Sequence, residues 1–315
     1  MRLSNGSSKH ARVSQKLPNT WDTIHRIGQT LGLSVDILRD MLQITAKEME
    51  KAHLARKDLE AEKIFALAER LNIGFNCIVT GKIDYQALTQ HYQGNNEFLP
   101  DRYHQMAFSR RRNTLHALNY VEEVYGWQER LLILRNFQMN EAVFANPDAP
   151  ISLHFNMDLF EYLNRFKFGD EDMTRLTVHS FMSLDWTAVQ NELADCSYAW
   201  EIYDRMCGSL LEKYVEKNYD YRILKMDETS CTVEAKPKDS LCDLLGSKTV
   251  GNHAVDLVRC GNGSAFPLLL GLPAATSKLH AGVGGKVKYE FDFTDAHSVM
   301  QLKKIRSFPR SLAVH

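Results

Sequence analysis

Between Leu33 and Gly81 the apolar residues fall into short runs that one long helix or strand does not accommodate. Ile37, Leu38, Met41 and Leu42 recur at helical spacing, the chain breaks near Ile44, and a second helical segment starts at Thr45. Ser34 is placed to cap the first helix. Thr45 is placed to cap the second, with Glu48 three residues on in the order of a capping box. For two such short helices to hold, Leu38 and Met41 must face Met49 across the turn, and Ile44 must plug it. Leu67, Ala68 and Leu71 then complete a small core.

The flanking sequence extends this pattern. Trp21, Ile24, Ile27, Gly28 and Leu31 predict a preceding helix that Gly32 stops. A fourth helix begins near Leu59 and buries Ile64, Leu67, Ala68 and Leu71. Phe75, Ile78 and Val79 form a fifth short turn, closed by Gly81. Residues 21–93 are expected to form one all-α domain. Residues 1–20 read as a flexible basic arm, with Arg2, Lys9, Arg12 and Lys16 and no acidic residue before Asp22. Such an arm is suited to phosphates or a minor groove.

Residues 33–81 resemble Xre-type helix-turn-helix domains, the phage-repressor class. Their pattern S-x-x-x-L-A-x-x-x-G-V-S is met at Ser34, Leu38, Ile44 and Thr45. Their later L-A-x-x-L-x-V is met at Leu67, Ala68, Leu71 and Ile73, and their terminal glycine at Gly81. The family carries Ala where Arg39 stands and Gly where Gln43 stands. The resemblance implies a dimeric DNA-binding domain whose recognition helix enters the major groove. Its DNA-facing candidates are Thr45, Lys47, Glu48, Lys51 and His53, with Arg56 and Lys57 in the following loop. Lys and Arg suit phosphates, whereas Thr, Glu and His suit base edges.

Charge sets a second possibility beside the first. Net charge is −1, and residues 21–90 hold nine Lys or Arg against ten Asp or Glu. DNA affinity must then come from a local patch. Glu48 and Glu50 repel phosphate. The alternative is a signalling or scaffold protein whose helix-turn-helix docks a protein partner such as a small GTPase or polarity factor.

Residues 94–126 read as a linker and a connecting helix, the helix running over Arg102–Tyr125. Residues 127–295 are expected to form an α+β domain, an antiparallel sheet with helices on one face. Leu159–Phe166 predicts a short helix and Trp200–Lys217 a strong amphipathic one. Tyr221–Met226 and Cys231–Lys236 flank a turn and predict a hairpin. Val287, Tyr289, Phe291 and Phe293 alternate with Lys288, Glu290 and Asp292 in a half-buried strand. Gly282, Gly284 and Gly285 supply the turn before it. Residues 296–315 read as a loosely held basic tail.

Residues 198–293 resemble the vinyl-reductase-like and haem-NO-binding-like α/β sensor modules. The points of resemblance are the helix 200–217, the hairpin, Cys260, Gly271-Leu272-Pro273-Ala274-Ala275, His280 and Tyr289-Glu290-Phe291. The resemblance implies a ligand cavity between sheet and helices, with Cys260, His280 and Tyr289 as ligand-binding candidates. Two later family cysteines are replaced, with Val283 and Val287 near their positions. No metal site and no cofactor are therefore expected.

The chain is 44% apolar and 24% charged, the composition of a folded globular protein. No phosphate-cradling glycine motif, G-x-S-x-G or H-E-x-x-H is present, so no enzyme is expected. None of the six cysteines forms a C-x-x-C pair. Asp170-Glu171-Asp172 reads as a solvated helix start and Arg110-Arg111-Arg112 as a solvated helix face. The longest apolar run, near Ala265–Ala275, is too short to span a bilayer. The expectation is a cytoplasmic, dimeric transcriptional regulator that senses a small molecule or a protein partner.

Overall fold

The structure, a computed structural model, describes residues 19–55, 59–245, 252–281 and 286–307. The basic arm up to residue 18, Arg56, Lys57, the glycine turn at 282–285 and the last eight residues, 308–315, lie outside the described residues. The chain divides into two compact units, Met1–Phe98 with Ile133–Met139, and Leu99–Leu132 with Asn140–His315.

The first unit contains α1 (Thr20–Leu31), α2 (Val35–Met41), α3 (Ala46–Ala55), α4 (Ala61–Leu71), α5 (Phe75–Thr80) and α6 (Tyr85–Tyr92). Local chemistry sets their ends. Gly32 and Gly81 close α1 and α5 at φ of 65° and 68°, where glycine carries no Cβ penalty. Ser34 Oγ accepts from Ile37 N at 3.2 Å. Thr45 N donates to Glu48 Oε2 at 2.7 Å and Glu48 N to Thr45 Oγ1 at 3.2 Å, the reciprocal capping box. Gln43, in the turn between α2 and α3, is left-handed at φ 52°. Leu38, Met41, Leu42, Met49, Leu67, Ala68 and Leu71 share one buried core with Trp21, Ile24 and Ile27.

Two features of this unit differ from the expectation. A sixth helix, α6, starts where Asp84 Oδ1 accepts from Ala87 N at 2.9 Å. Its buried stripe is only Ala87 and Leu88, too narrow to stand out as a period. Residues 133–139 also belong here: Arg135 O accepts Gly74 N at 2.8 Å, and Arg135 Nε donates to Asn72 Oδ1 at 2.7 Å.

In the second unit the expected long helix over Arg102–Tyr125 is broken. A short α7 (Asp101–His104) ends before Met106, which is left-handed at φ 47°. The strand β1 (Ser109–Arg110) then pairs with β2 (Pro150–Ile151). Only α8 (Arg112–Tyr125) is the predicted helix, and it is a core helix rather than a connector: Ala117, Leu118 and Val121 are fully buried. After α9 (Trp127–Asn136) come α10 (Leu153–Phe166), α11 (Asp170–Ser180), α12 (Thr187–Leu193), α13 (Ala199–Arg205) and α14 (Leu211–Tyr214). A π-turn over Met206–Leu210 joins α13 to α14 and interrupts the expected continuous helix.

The arginine run at 110–112 is not a solvated helix face. Arg112 is buried, pairs with Asp148, and donates to Asp185 O at 2.8 Å. Arg110 Nη1 donates to Asp148 O at 2.8 Å, and Arg111 Nη1 reaches Val143 O. These arginines hold loops together. Asp170, Glu171 and Asp172 form the exposed first turn of α11, as expected.

The remaining elements are β3 (Tyr219–Met226), β4 (Ser230–Pro237), α15 (Asp239–Leu245), α16 (His253–Ala265), β5 (Thr276–Ala281), β6 (Val287–Asp292) and α17 (Thr294–Ser307). The sheet is antiparallel in the order β3-β4-β6-β5. Cys231, Val233 and Ala235 stand opposite Phe291, Tyr289 and Val287. All six are buried on one face, the consequence of strand alternation. Helix α16 lies close to this face: a Cβ on Gly263 would stand 2.2 Å from the Phe291 ring. The helix is in equally tight contact with α11, since a Cβ on Gly261 would stand 2.4 Å from Thr174 O. The expected loose tail is helical as far as Ser307. Asp292 Oδ1 accepts from Thr294 N at 3.0 Å, and Ala296 and Met300 are buried. Among the described residues, no helix is long and apolar enough to cross a membrane.

Candidate functional site

The second unit encloses a cavity of about 50 Å³, partly open to solvent. Residues far apart in sequence converge on it. Helix α8 supplies Arg112, Asn113 and His116, and α10 supplies Asn156 and Phe160. The π-turn supplies Met206 and Cys207, the sheet Tyr221, Val233, Tyr289 and Phe291, and α16 Val258, Arg259 and Gly263. A π-turn adds a residue to the helical turn and re-aims its side chains. Here that widening falls on the cavity wall.

Most of the wall is apolar. Phe181 and Trp186 stack at 4.6 Å between ring centroids. The Trp186 indole N–H donates to Phe181 O at 2.7 Å, so its one polar hydrogen is already used.

The charged groups on the wall are already paired. Arg112 is held by Asp148 and Asp185 O and lies 5.0 Å from the Trp186 ring. Arg259 donates to Glu216 from Nε at 3.1 Å and from Nη2 at 3.3 Å, and to Asp256 from Nη1 at 3.4 Å. Glu216 also accepts from Tyr221 OH at 2.5 Å and Asn218 Nδ2 at 3.3 Å. Burial pushes the Glu216 carboxyl up, but Arg259 and these hydrogen bonds hold it below the ordinary value. Asp256 has fewer donors. Burial pushes it up to about 6, against the opposing pull of Arg259.

Two fully buried side-chain atoms on the wall have no hydrogen-bond partner among the described residues. His116 Nδ1 lies 3.1 Å from Arg112 O. A carbonyl oxygen only accepts, so Nδ1 carries the proton and Nε2 is a bare lone pair. Burial pushes the imidazole down to about 4, which keeps it neutral. His116 Nε2 and Asn156 Oδ1 are buried and meet no hydrogen-bond partner among the described residues. Both residues line the cavity.

The three ligand candidates from the sequence do not come together. Tyr289 lines the cavity, and its hydroxyl donates to Asp256 at 3.4 Å. Cys260 is buried beside Ser277, Sγ to Oγ 3.2 Å, and is not among the cavity residues. His280 is on the exposed face of β5, 3.1 Å from Glu290 Oε2. The sequence signal of His116 and Asn156 is a polar residue on the inward face of an amphipathic helix. The six cysteines are all free. Among the described residues, no group of three or more His, Cys, Asp or Glu is arranged to hold a metal ion.

In the first unit Thr45, Lys47, Glu48 and Lys51 are exposed on or beside α3. Thr45 and Glu48 are bonded to each other, Oγ1 to Oε2 at 2.7 Å. The backbone hydrogen bond from Thr45 holds the Glu48 carboxyl below its usual value. Lys47 and Lys51 stand one helical turn apart. His53 lies in α3, with its side chain outside the described residues.

No family model matches the chain, and no curated protein matches it. Two solved structures are similar to part of it: an Fe(II) unliganded H-NOX protein from K. algicida and a point mutant of that protein. Each is 12% identical with a TM-score of 0.43, over 58% of this chain and 95% of the other.

Proposed function

We propose that the protein is a cytoplasmic, ligand-responsive transcriptional regulator that acts as a homodimer. The first unit is read as an Xre-type helix-turn-helix domain that binds DNA, and the second as a sensor that holds a small molecule in its cavity. The observation that carries the reading is the pair of orphaned acceptors, His116 Nε2 and Asn156 Oδ1, in an otherwise apolar or internally paired cavity. An unmet buried polar atom costs stability unless something meets it. On the DNA side, support comes from the shared core across α2 and α3 and from the exposed lysines 47 and 51. In this reading Lys47 and Lys51 touch phosphates, while Thr45 and Glu48 fix the start of the recognition helix. A ligand alters DNA binding only by favouring one conformation over another.

A second reading, protein docking, has its own observation. Val35, Ile37 and Phe65 expose 65%, 45% and 48% of their surface in the first unit. An electrophoretic shift of genomic fragments at low salt tests the proposal. A retarded fragment that is lost in K47A/K51A supports DNA binding. No retarded fragment contradicts it and favours docking.

A further inference from the structure

We infer that the cavity recognises a small, uncharged ligand through a hydrogen-bond donor, an N–H or O–H delivered to His116 Nε2 and Asn156 Oδ1. This rests on the reading of the second unit as a sensor and names the chemistry it senses.

The polarity of the two atoms decides the class. The Nδ1 proton of His116 is committed to Arg112 O. Its Nε2 therefore only accepts, and so does the Asn156 carbonyl oxygen. A ligand that offers acceptors alone leaves His116 Nε2 unmet, whichever way the Asn156 amide is turned. A donor satisfies at least one of them inside a low-dielectric site, where the bond is strengthened.

Charge decides the next point. Arg112 is neutralised by Asp148, and Arg259 by Glu216. A cation or anion entering here sheds its hydration and finds no free counterion on the wall among the described residues. An uncharged molecule carries no such penalty.

Size and shape complete the description. An apolar cavity of roughly 150 Å³ holds benzene, and this one measures about 50 Å³. The enclosed part takes the donor group and a few heavy atoms, with the remainder of the ligand at the open side. Phe160, Phe181, Trp186 and Phe291 line the cavity with aromatic carbon, which suits an aromatic ligand. Planar N–H heterocycles and phenols combine these properties. Water is also a donor and fills such a site by default. The ligand must therefore replace water's hydrogen bonds as well as its volume.

Pyrrole and furan separate donor recognition from cavity filling, because they are near-isosteric and only pyrrole donates. The full-length protein, labelled with 15N-histidine, is titrated with each while the His116 Nε2 resonance is followed. Pyrrole is expected to move that resonance saturably and to bind about tenfold tighter than furan. H116F and N156L, which remove one acceptor each at similar volume, are expected to reduce that preference severalfold. The wild-type comparison stands even if a variant fails to fold. Equal binding of the two rings overturns the donor inference and leaves the sensor reading intact. Pyrrole binding that leaves the His116 signal unmoved also overturns the inference. Binding of neither overturns the inference and the sensor reading together.

Discussion

Arg259 grips Glu216 through two nitrogens, Nε to Oε1 at 3.1 Å and Nη2 to Oε2 at 3.3 Å, and both side chains are buried at the cavity wall. Such a pair stabilises little in net terms, but removing one member strands the other's charge. R259M is therefore expected to cost about 3–5 kcal/mol in urea unfolding. The double variant R259M/E216L is expected to recover a large part of that loss. A double variant as unstable as R259M would show that packing, not the stranded charge, sets the cost.

His116 and Asp256 make acid stability depend on two opposed titrations. Folded His116 titrates near 4, against 6.5 for a free imidazole. Below pH 6.5 the unfolded chain binds a proton that the folded chain refuses, so stability falls towards pH 4 by about 3 kcal/mol. Folded Asp256 titrates near 6, against an ordinary 3.8. There the folded chain keeps the proton longer, so this contribution is present below pH 3.8 and is lost as pH rises through 6, again by about 3 kcal/mol. The two slopes offset between about pH 4 and 6. Relative to wild type, D256N is expected to lose stability as pH falls through that window, and H116F as pH rises. Urea midpoints at pH 4, 5 and 6 check both signs; parallel profiles for the three proteins would contradict them.

Gly263 lets α16 approach the sheet. An added methyl group would stand 2.2 Å from Cζ of Phe291, so α16 or the ring must shift. G263A is expected to cost about 1–3 kcal/mol. Because Gly263 and Phe291 both line the cavity, pyrrole binding should weaken with it. Unchanged stability together with unchanged binding would mean the helix relaxes freely at this point.

What the sequence made legible is what local chemistry determines. The caps at Ser34 and Thr45, the stop at Gly32 and the alternation of Val287, Tyr289 and Phe291 depend on neighbours in sequence, and each recurs in the structure. The break at Met106 did not show, because no proline or glycine marks it and its cause is a strand pairing with residues 150–151. Arg112 read as solvated because the partners that bury it, Asp148 and Asp185, are 36 and 73 residues away. The cavity was expected between sheet and helices, but its polar atoms were not. His116 and Asn156 lie on separate helices, 40 positions apart in the numbering, and only tertiary packing leaves their acceptors unmet.

Lys47 and Lys51 are proposed to carry the first unit's DNA contacts in a ligand-responsive regulator. Fluorescence anisotropy of a retarded genomic fragment, titrated with full-length protein at several salt concentrations, tests this proposal most directly. Each phosphate contact contributes about −0.9 to the slope of log affinity against log salt. Both lysines are exposed, so K47A/K51A is expected to keep wild-type stability within about 0.5 kcal/mol. It is also expected to bind more weakly, with a slope shallower by about 2 for each protomer in contact. A variant with wild-type affinity and an unchanged slope would contradict the account.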